Sequence, residues 1–317
     1  MGATTTIYYA SDVHGSNRCF RKFLNAAKYY KASVLVMGGD ILGKAIVFLE
    51  ELRPGVYTTQ EHGRTIELSA GSELEDFEKR AGDKGLYPYR CRRGEAQQLR
   101  DANQLETLFE GLMQERLIEW LNLADERLAG TGVRCYMMGG NDDPPEVLEV
   151  LKQARGVSDP EDHVVLLDDT CEMISCGWSN PTPWQTPREC SEEELGQRID
   201  ALMAQVKHPE STIMNLHVPP FQSGLDDAPE LDASLKVQTS LGQTRFKPVG
   251  STAVRAAIQR YQPLLGLHGH VHEAHATCKI GRTVCVNPGS DFAEGVLHGV
   301  LVTVNKGKLR GYQMVSG

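Results

Sequence analysis

The sequence predicts an α/β fold carrying an inserted α+β segment, and three observations lead there. Short apolar, β-branched runs alternate with stretches of helical periodicity along most of the chain. Several of these runs end directly in Asp, Asn or His, most of them beside Gly, as expected where functional groups gather at the carboxyl ends of strands. The stretch from Asp40 to Gly139 is too long for one crossover connection, so it must hold structure of its own.

Taken in order, residues 6–10 read as a strand. Residues 17–30 place Phe20, Phe23, Leu24 and Ala27 at helical spacing, and residues 33–37 read as a second strand. The pattern returns at 133–138, 211–216, 263–267 and 282–286, each run followed by polar ligand-type or turn residues. Within the long excursion, 56–59 and 65–68 flank a turn containing Gly63 and predict a hairpin. Residues 87–94 read as a basic, aromatic loop. Residues 104–128 form a long amphipathic helix with Leu105, Leu108, Phe109, Leu112, Trp120, Leu121 and Leu128 on one face. The segment at about 53–103 is read as a cap, and the polar segment at about 221–250 as a long loop beside the site. Ser191 and Glu194 form a capping box before Leu195, Ile199, Leu202, Met203 and Val206, and Ser251 opens a further helix. Residues 296–304 and 309–315 predict a closing hairpin turning at Asn305-Lys306-Gly307. No repeat, linker or low-complexity tract divides the chain, so residues 1–317 are read as one domain.

Composition narrows the function classes. Apolar residues at 40% and charged residues at 24% are ordinary for a globular protein. A net charge of −9 disfavours a long nucleic-acid backbone as partner. Eight cysteines are scattered without a C-x-x-C pair and are expected to be small buried hydrophobes in a reducing, cytoplasmic setting. No apolar run approaches the ~18 residues of a membrane span, and no signal peptide opens the chain, so no membrane partner is expected. Met1-Gly2 with Thr6 fits an acylation pattern, but Thr6 already belongs to a strand.

Five short motifs carry the chemistry. They are Asp12-Val13-His14, Gly39-Asp40, Gly140-Asn141-Asp142, His217 before Pro219-Pro220, and Gly269-His270-Val271-His272. Each alone has a plain structural reading as a helix cap, a turn or a packed imidazole. Together they supply carboxylate, imidazole and amide oxygen, the mixed hard and borderline donors that a pair of divalent cations requires.

In this order the motifs resemble the calcineurin-like metallophosphoesterase superfamily, over a span from Asp12 to Ser290. The resemblance implies a four-layer α/β/β/α sandwich with the motifs on loops at one edge. It implies that Asp12, His14 and His272 hold one metal, that Asn141, His217 and His270 hold the other, and that Asp40 bridges them. It implies two divalent ions (Mn, Fe, Zn or Ni) and in-line attack on phosphorus by a bridging hydroxide. A small phosphoester is the expected substrate, with a phosphodiester preferred to a monoester. A nuclease of the same superfamily is the alternative enzyme, and a non-catalytic scaffold with this fold is the alternative from another class.

The chain departs from the superfamily pattern at one position. Most members place a histidine after the motif asparagine, to protonate the leaving group or hold a phosphoryl oxygen, and here Asp142 stands there. An aspartate of ordinary pKa near 3.9 is a weak acid catalyst at neutral pH. The substitution therefore points to a leaving group that departs without strong proton donation, unless Asp142 merely faces solvent. Lys44 lies where the protein-phosphatase branch carries a phosphate-gripping arginine; it is read either as that grip or as a solvated lysine. Asn287-Pro288-Gly289-Ser290 resembles a loop that shapes the backbone beside the metals. Trp178 and Trp184 are read as packing residues in preference to aromatic stacking platforms. His62, Arg90, Arg92 and Arg93 form a basic face, solvated in preference to substrate-binding, and His268 either orients a ligand imidazole or ends a strand.

Overall fold

The computed structural model describes residues 4–61 and 63–317. Two of the sequence expectations, the Met1-Gly2 acylation pattern and a substrate contact by His62, fall outside the described residues.

The core is a sandwich of two sheets. The first has five strands in the spatial order Lys308–Ser316, His298–Asn305, Thr5–Ala10, Val34–Gly38 and Arg134–Met138. The second has six, in the order Ala276–Ile280, Thr283–Asn287, Leu265–Leu267, Ile213–Leu216, Cys171–Cys176 and Val165–Asp168. The alternating strand period decides what lies between the sheets and what lies outside them. Ile7, Tyr9, Val34 and Val36 face inward and pack against Ile213, Leu265, Leu267 and Val286 of the second sheet. Their neighbours Tyr8, Ala10, Leu35 and Met37 face outward, against the helices Asn17–Tyr29 and Leu105–Leu128. The outer face of the second sheet offers Ile174, Met214 and Leu216 to the helices Glu192–Met203 and Thr252–Tyr261. The result is an α/β/β/α sandwich.

Most helix signals read from the sequence are realised. Ser191 Oγ accepts from Glu194 N at 3.1 Å and Ser251 Oγ from Val254 N at 3.1 Å. The long helix spans Leu105–Leu128, but its buried stripe runs Met113, Leu117, Trp120, Leu121, Ala124 and Leu128. Leu105, Leu108, Phe109 and Leu112 of the expected face are only partly covered. Trp120 stacks on Phe20 with ring centroids 4.2 Å apart and donates Nε1–H to Asn17 Oδ1 at 2.7 Å. All eight cysteines are free, and seven are buried.

The inserted segment builds its own sheet, and it starts earlier than about residue 53. Its strands are Ala45–Arg53, Val56–Glu61, Arg64–Ser69 and Leu86–Arg92, with the helix Ser72–Asp83 packed on one face through Leu74, Phe77 and Ala81. The strand 45–53, with Ile46 and Phe48 at alternate positions, lies ahead of the expected start of the cap. The expected loop at 87–94 is mostly the strand Leu86–Arg92, paired in parallel with Ala45–Arg53. The segment at about 221–250 is not a bare loop. It holds two short antiparallel pairs, Asp227–Pro229 with Phe246–Pro248 and Thr239–Ser240 with Gln243–Thr244.

Parallel pairing positions the site. Thr5–Ala10, Val34–Gly38 and Arg134–Met138 are mutually parallel neighbours, so their carboxyl ends open onto one edge. Cys171–Cys176, Ile213–Leu216, Leu265–Leu267 and Thr283–Asn287 do the same in the second sheet.

Candidate metal centre

The five motifs meet at that edge. Asp12 and His14 follow the first strand, Asp40 the second and Asn141 the third; His217 and His270–His272 leave the second sheet opposite them. Sharp turns are needed to aim every side chain at one point. Asp12 (φ 56°), His14 (φ 38°), Asp40 (φ 51°) and His270 (φ 68°) all sit in left-handed backbone. That conformation is uncommon outside glycine, and it gathers where a site is held under strain. Glycines let the loops close over one another. A Cβ on Gly140 would overlap Asp40 Oδ1 and come within 2.7 Å of His217 Nε2.

Three overlapping donor groups result. Asp12, His14 and His272 form one, Asp40, His217 and His270 a second, and His14, Asp40 and Asp142 a third that joins them. His14 Nε2 lies 2.9 Å from His272 Nε2 and 3.7 Å from Asp40 Oδ2. Asp12 Oδ1 lies 3.5 Å from His272 Nε2. His217 Nε2 lies 3.3 Å from Asp40 Oδ1 and 3.1 Å from Asn141 Oδ1, and His270 Nδ1 approaches that same amide oxygen at 2.7 Å. All seven side chains expected as ligands are therefore brought together.

The donor set fits cations. His217 Nδ1 donates to the carbonyl of Gly38 at 2.9 Å, which directs Nε2 at two oxygens that only accept. His14 Nε2 and His272 Nε2 share a hydrogen bond, one ring donating and the other accepting, and, deprotonated, both would turn lone pairs to the same point. Two carboxylates, four imidazoles and an amide oxygen crowd one point, the donor set of a divalent-cation site, and His14 Nδ1 is left buried without a hydrogen-bond partner among the described residues. The pKa shifts follow from this crowding. Burial raises Asp12, but the His272 hydrogen bond and the His217 charge bring it down to about 2. Burial opposes protonation of His217, yet the Asp40 carboxylate holds it up to about 9. Burial and the His217 charge push His270 down to about 4.

A second layer fixes this geometry, and most of it escaped the sequence reading. Asp143 is fully buried and accepts from Gly140 N at 2.7 Å, Ile41 N at 2.9 Å and Leu42 N at 2.8 Å, tying the Asn141 loop to the Asp40 loop. Thr186 Oγ1 accepts from Asn141 Nδ2 at 2.9 Å, turning the amide oxygen towards the histidines. Arg188 forms a buried two-pronged pair with Glu161 at 2.7 and 2.6 Å, and its backbone N–H donates to Asn141 O at 3.1 Å. Asn287 Nδ2 donates to the carbonyls of Gly269 and Val271, and Ser290 Oγ to that of Asp12 at 2.6 Å, so the 287–290 loop does brace the ligand backbone. His268 takes a backbone role: its Nδ1 donates to Leu216 O at 2.8 Å, beside His217.

Lys44 and Asp142 stand at the rim, joined by a 2.5 Å ion pair. Burial would lower the Lys44 ammonium, but the Asp142 and Asp40 carboxylates raise it. Asp142 is raised by burial and by the Asp40 charge, with Lys44 opposing. Trp178 packs against the outer helices of the second sheet beneath Arg198 at 4.2 Å. Trp184 does not pack; it is 62% exposed at the cleft mouth. Arg90 is occupied by Glu78 at 2.6 Å, and none of Arg90, Arg92 and Arg93 lines the cleft.

No family model matches the chain. It is 29% identical over 151 residues to an uncharacterized protein of Methanocaldococcus jannaschii, MJ1162, a match taking in 47% of this chain and 61% of that protein. One crystal structure aligns over 99% of both chains with a TM-score of 0.58 and 14% identity. That of TT1561 of Thermus thermophilus aligns over 96% of this chain and 100% of its own, with a TM-score of 0.53 and 14% identity. The chain therefore shares its α/β/β/α fold with these two structures. Set against the motifs that the sequence resembles, every ligand-type residue is present, and Asp142, which stands in the position after Asn141, is paired with Lys44.

Proposed function

We propose that the chain is a phosphoesterase dependent on two divalent cations, with a phosphodiester preferred to a monoester. One observation carries the reading: overlapping Asp/His donor groups lie on the floor of an open cleft, with a lysine ammonium at the rim. Asp12, His14 and His272 would hold one cation, Asn141, His217 and His270 the other, with Asp40 shared. Such cations, when bound, supply positive charge for the phosphoryl oxygens and acidify a water towards neutral pH.

The chain's own residues then have distinct tasks. Asn141 is turned by Thr186 and Asp40 is reached by His14 and His217, so the ligands are held before substrate arrives. Lys44 Nζ would meet a phosphoryl oxygen, and its ion pair with Asp142 supports that role by anchoring the ammonium at the rim. Asp142 is committed to this pair as an acceptor, so it has no proton to give the leaving oxygen. That supports a diester, or a leaving group that departs as a stable anion, over an alkyl monoester.

The acidic balance speaks against a nuclease. The complete donor set speaks against a scaffold that has lost its ligands. A panel of phosphomonoesters, phosphodiesters, cyclic nucleotides and dinucleotides, assayed with Mn²⁺, Fe²⁺, Zn²⁺ and Ni²⁺, tests the proposal. Turnover of aryl phosphodiesters above alkyl monoesters is expected, and turnover of no phosphoester with any of the metals refutes it.

A further inference from the structure

The wall of the cleft bears on the substrate class. The cavity over the metal centre has a volume of about 560 Å³ and is lined near the donors by Lys44, Asp142, His270 and His272. A second cavity of about 490 Å³ opens beside it. The two share Trp184, Ala228, Pro229, Leu231, Val249 and His270. Of these six only His270 offers a polar side chain, apart from the indole N–H of Trp184, and it belongs to the donor cluster. The connecting wall is therefore largely apolar, and it begins at the phosphoryl position.

The same wall is poorly covered. Trp184 is 62% exposed, Leu235 48% and Val237 51%. Leu235 lines the second cavity and Val237 the first, and both come from the segment after Phe221. Large apolar side chains left exposed along a cleft mark a binding surface. A planar nucleobase would need several hydrogen-bond partners along its edge; the shared wall offers little beyond the ligand-type His270, and farther into the second cavity Thr182, Asp232 and Asn180 Nδ2 are already engaged by Glu189, Ser234 and the Val249 carbonyl, with Lys247 beside them. An aliphatic chain needs none.

Resting on the phosphoesterase reading, we infer that the substrate is an amphipathic phosphodiester: its phosphoryl group sits over the donor cluster and a flexible aliphatic arm lies along Trp184, Pro229 and Leu231 into the second cavity. Hydrolysis adds water across one P–O bond, releases the other alcohol, and leaves the arm on the phosphate monoester.

Methyl, butyl and octyl esters of p-nitrophenyl phosphate test this, because the leaving p-nitrophenolate is constant while the arm lengthens. With metal-loaded protein, kcat/KM is expected to rise roughly tenfold or more from methyl to octyl, as buried methylenes accumulate. Trp184→Ser and Leu231→Ser should flatten that rise. Ile118→Ser, an exposed apolar residue of the long helix outside both cavities, should keep it. A binding measurement separates this inference from the activity it rests on. Octylphosphonate should perturb tryptophan fluorescence of the metal-free protein at concentrations where methylphosphonate does not, and Trp184→Ser should abolish the response. Loss of all turnover with the octylphosphonate response retained would refute the phosphoesterase reading and leave the apolar subsite standing. Equal rates and equal fluorescence responses for methyl and octyl compounds would overturn the subsite, as would preference for a phenyl arm over a hexyl arm.

Discussion

His14 and His272, 258 positions apart in the chain, bring their Nε2 atoms to 2.9 Å from each other. One ring donates and the other accepts, and both nitrogens also lie close to carboxylates; deprotonated, the two lone pairs together with those carboxylates suit a divalent cation. Removing one ring should therefore vacate one site and spare the other. His272→Ala is expected to bind about one equivalent of Mn²⁺ where the parent binds about two. Equilibrium dialysis with elemental analysis checks this, and an unchanged metal content would remove His272 from the ligand set.

The Lys44–Asp142 pair predicts an asymmetry between two variants. Lys44→Ala removes the ammonium itself and should lower kcat/KM on an aryl phosphodiester by roughly 10- to 100-fold, the range of one charge-assisted hydrogen bond. Asp142→Asn keeps the shape and leaves Lys44 present but unanchored, so the loss should be smaller and fall mainly on KM. Steady-state kinetics on both variants decide it. A larger loss in Asp142→Asn than in Lys44→Ala would show that Asp142 acts directly on the substrate.

Gly140 is among the tightest approaches in the site. A methyl group there would collide with the Asp40 carboxylate and press on His217. Gly140→Ala should cost stability of about 1–3 kcal/mol, as overpacking does, while nearly abolishing metal uptake. Urea unfolding together with metal analysis reads both. Full metal content in a folded Gly140→Ala protein would mean that Asp40 is not shared between two cations.

What the sequence made legible, and what it hid, follows from the range of the interactions. The seven ligand-type residues were readable because each lies in a turn directly after an apolar strand, a local signal. The layers were legible only through the family resemblance, because a run such as Ile7-Tyr8-Tyr9-Ala10 is apolar throughout and buried on both faces, and so does not state which face is inward. Asp143 was hidden because its three partners lie on two different loops, and Glu161 because only folding brings it to Arg188. The strand Ala45–Arg53 was hidden because most of its residues are only partly covered and its partner Leu86–Arg92 lies far along the chain. Trp184 carried no local sign of exposure; its neighbours are prolines and threonines that fit a packed loop equally well.

The Arg188–Glu161 pair should be a structural support for Asn141. Both side chains are almost fully buried. Breaking such a pair by removing one charge costs about 3–5 kcal/mol, because the remaining ion is left without a partner. Glu161→Gln is expected to lose stability on that order by chemical denaturation. Pairing Glu161→Leu with Arg188→Met should recover a large part of it, but not the Asn141 backbone placement. A Glu161→Gln protein as stable as the parent would contradict the assignment.

The central claim is that this edge of the sandwich holds two cations on seven side chains. Elemental analysis of the purified chain after Mn²⁺ loading and desalting tests it most directly, run beside Asp40→Ala, which strikes the shared ligand. The account predicts about two metal equivalents in the parent and less than one in Asp40→Ala. A parent chain that retains no metal, or an Asp40→Ala chain that retains as much as the parent, would contradict it.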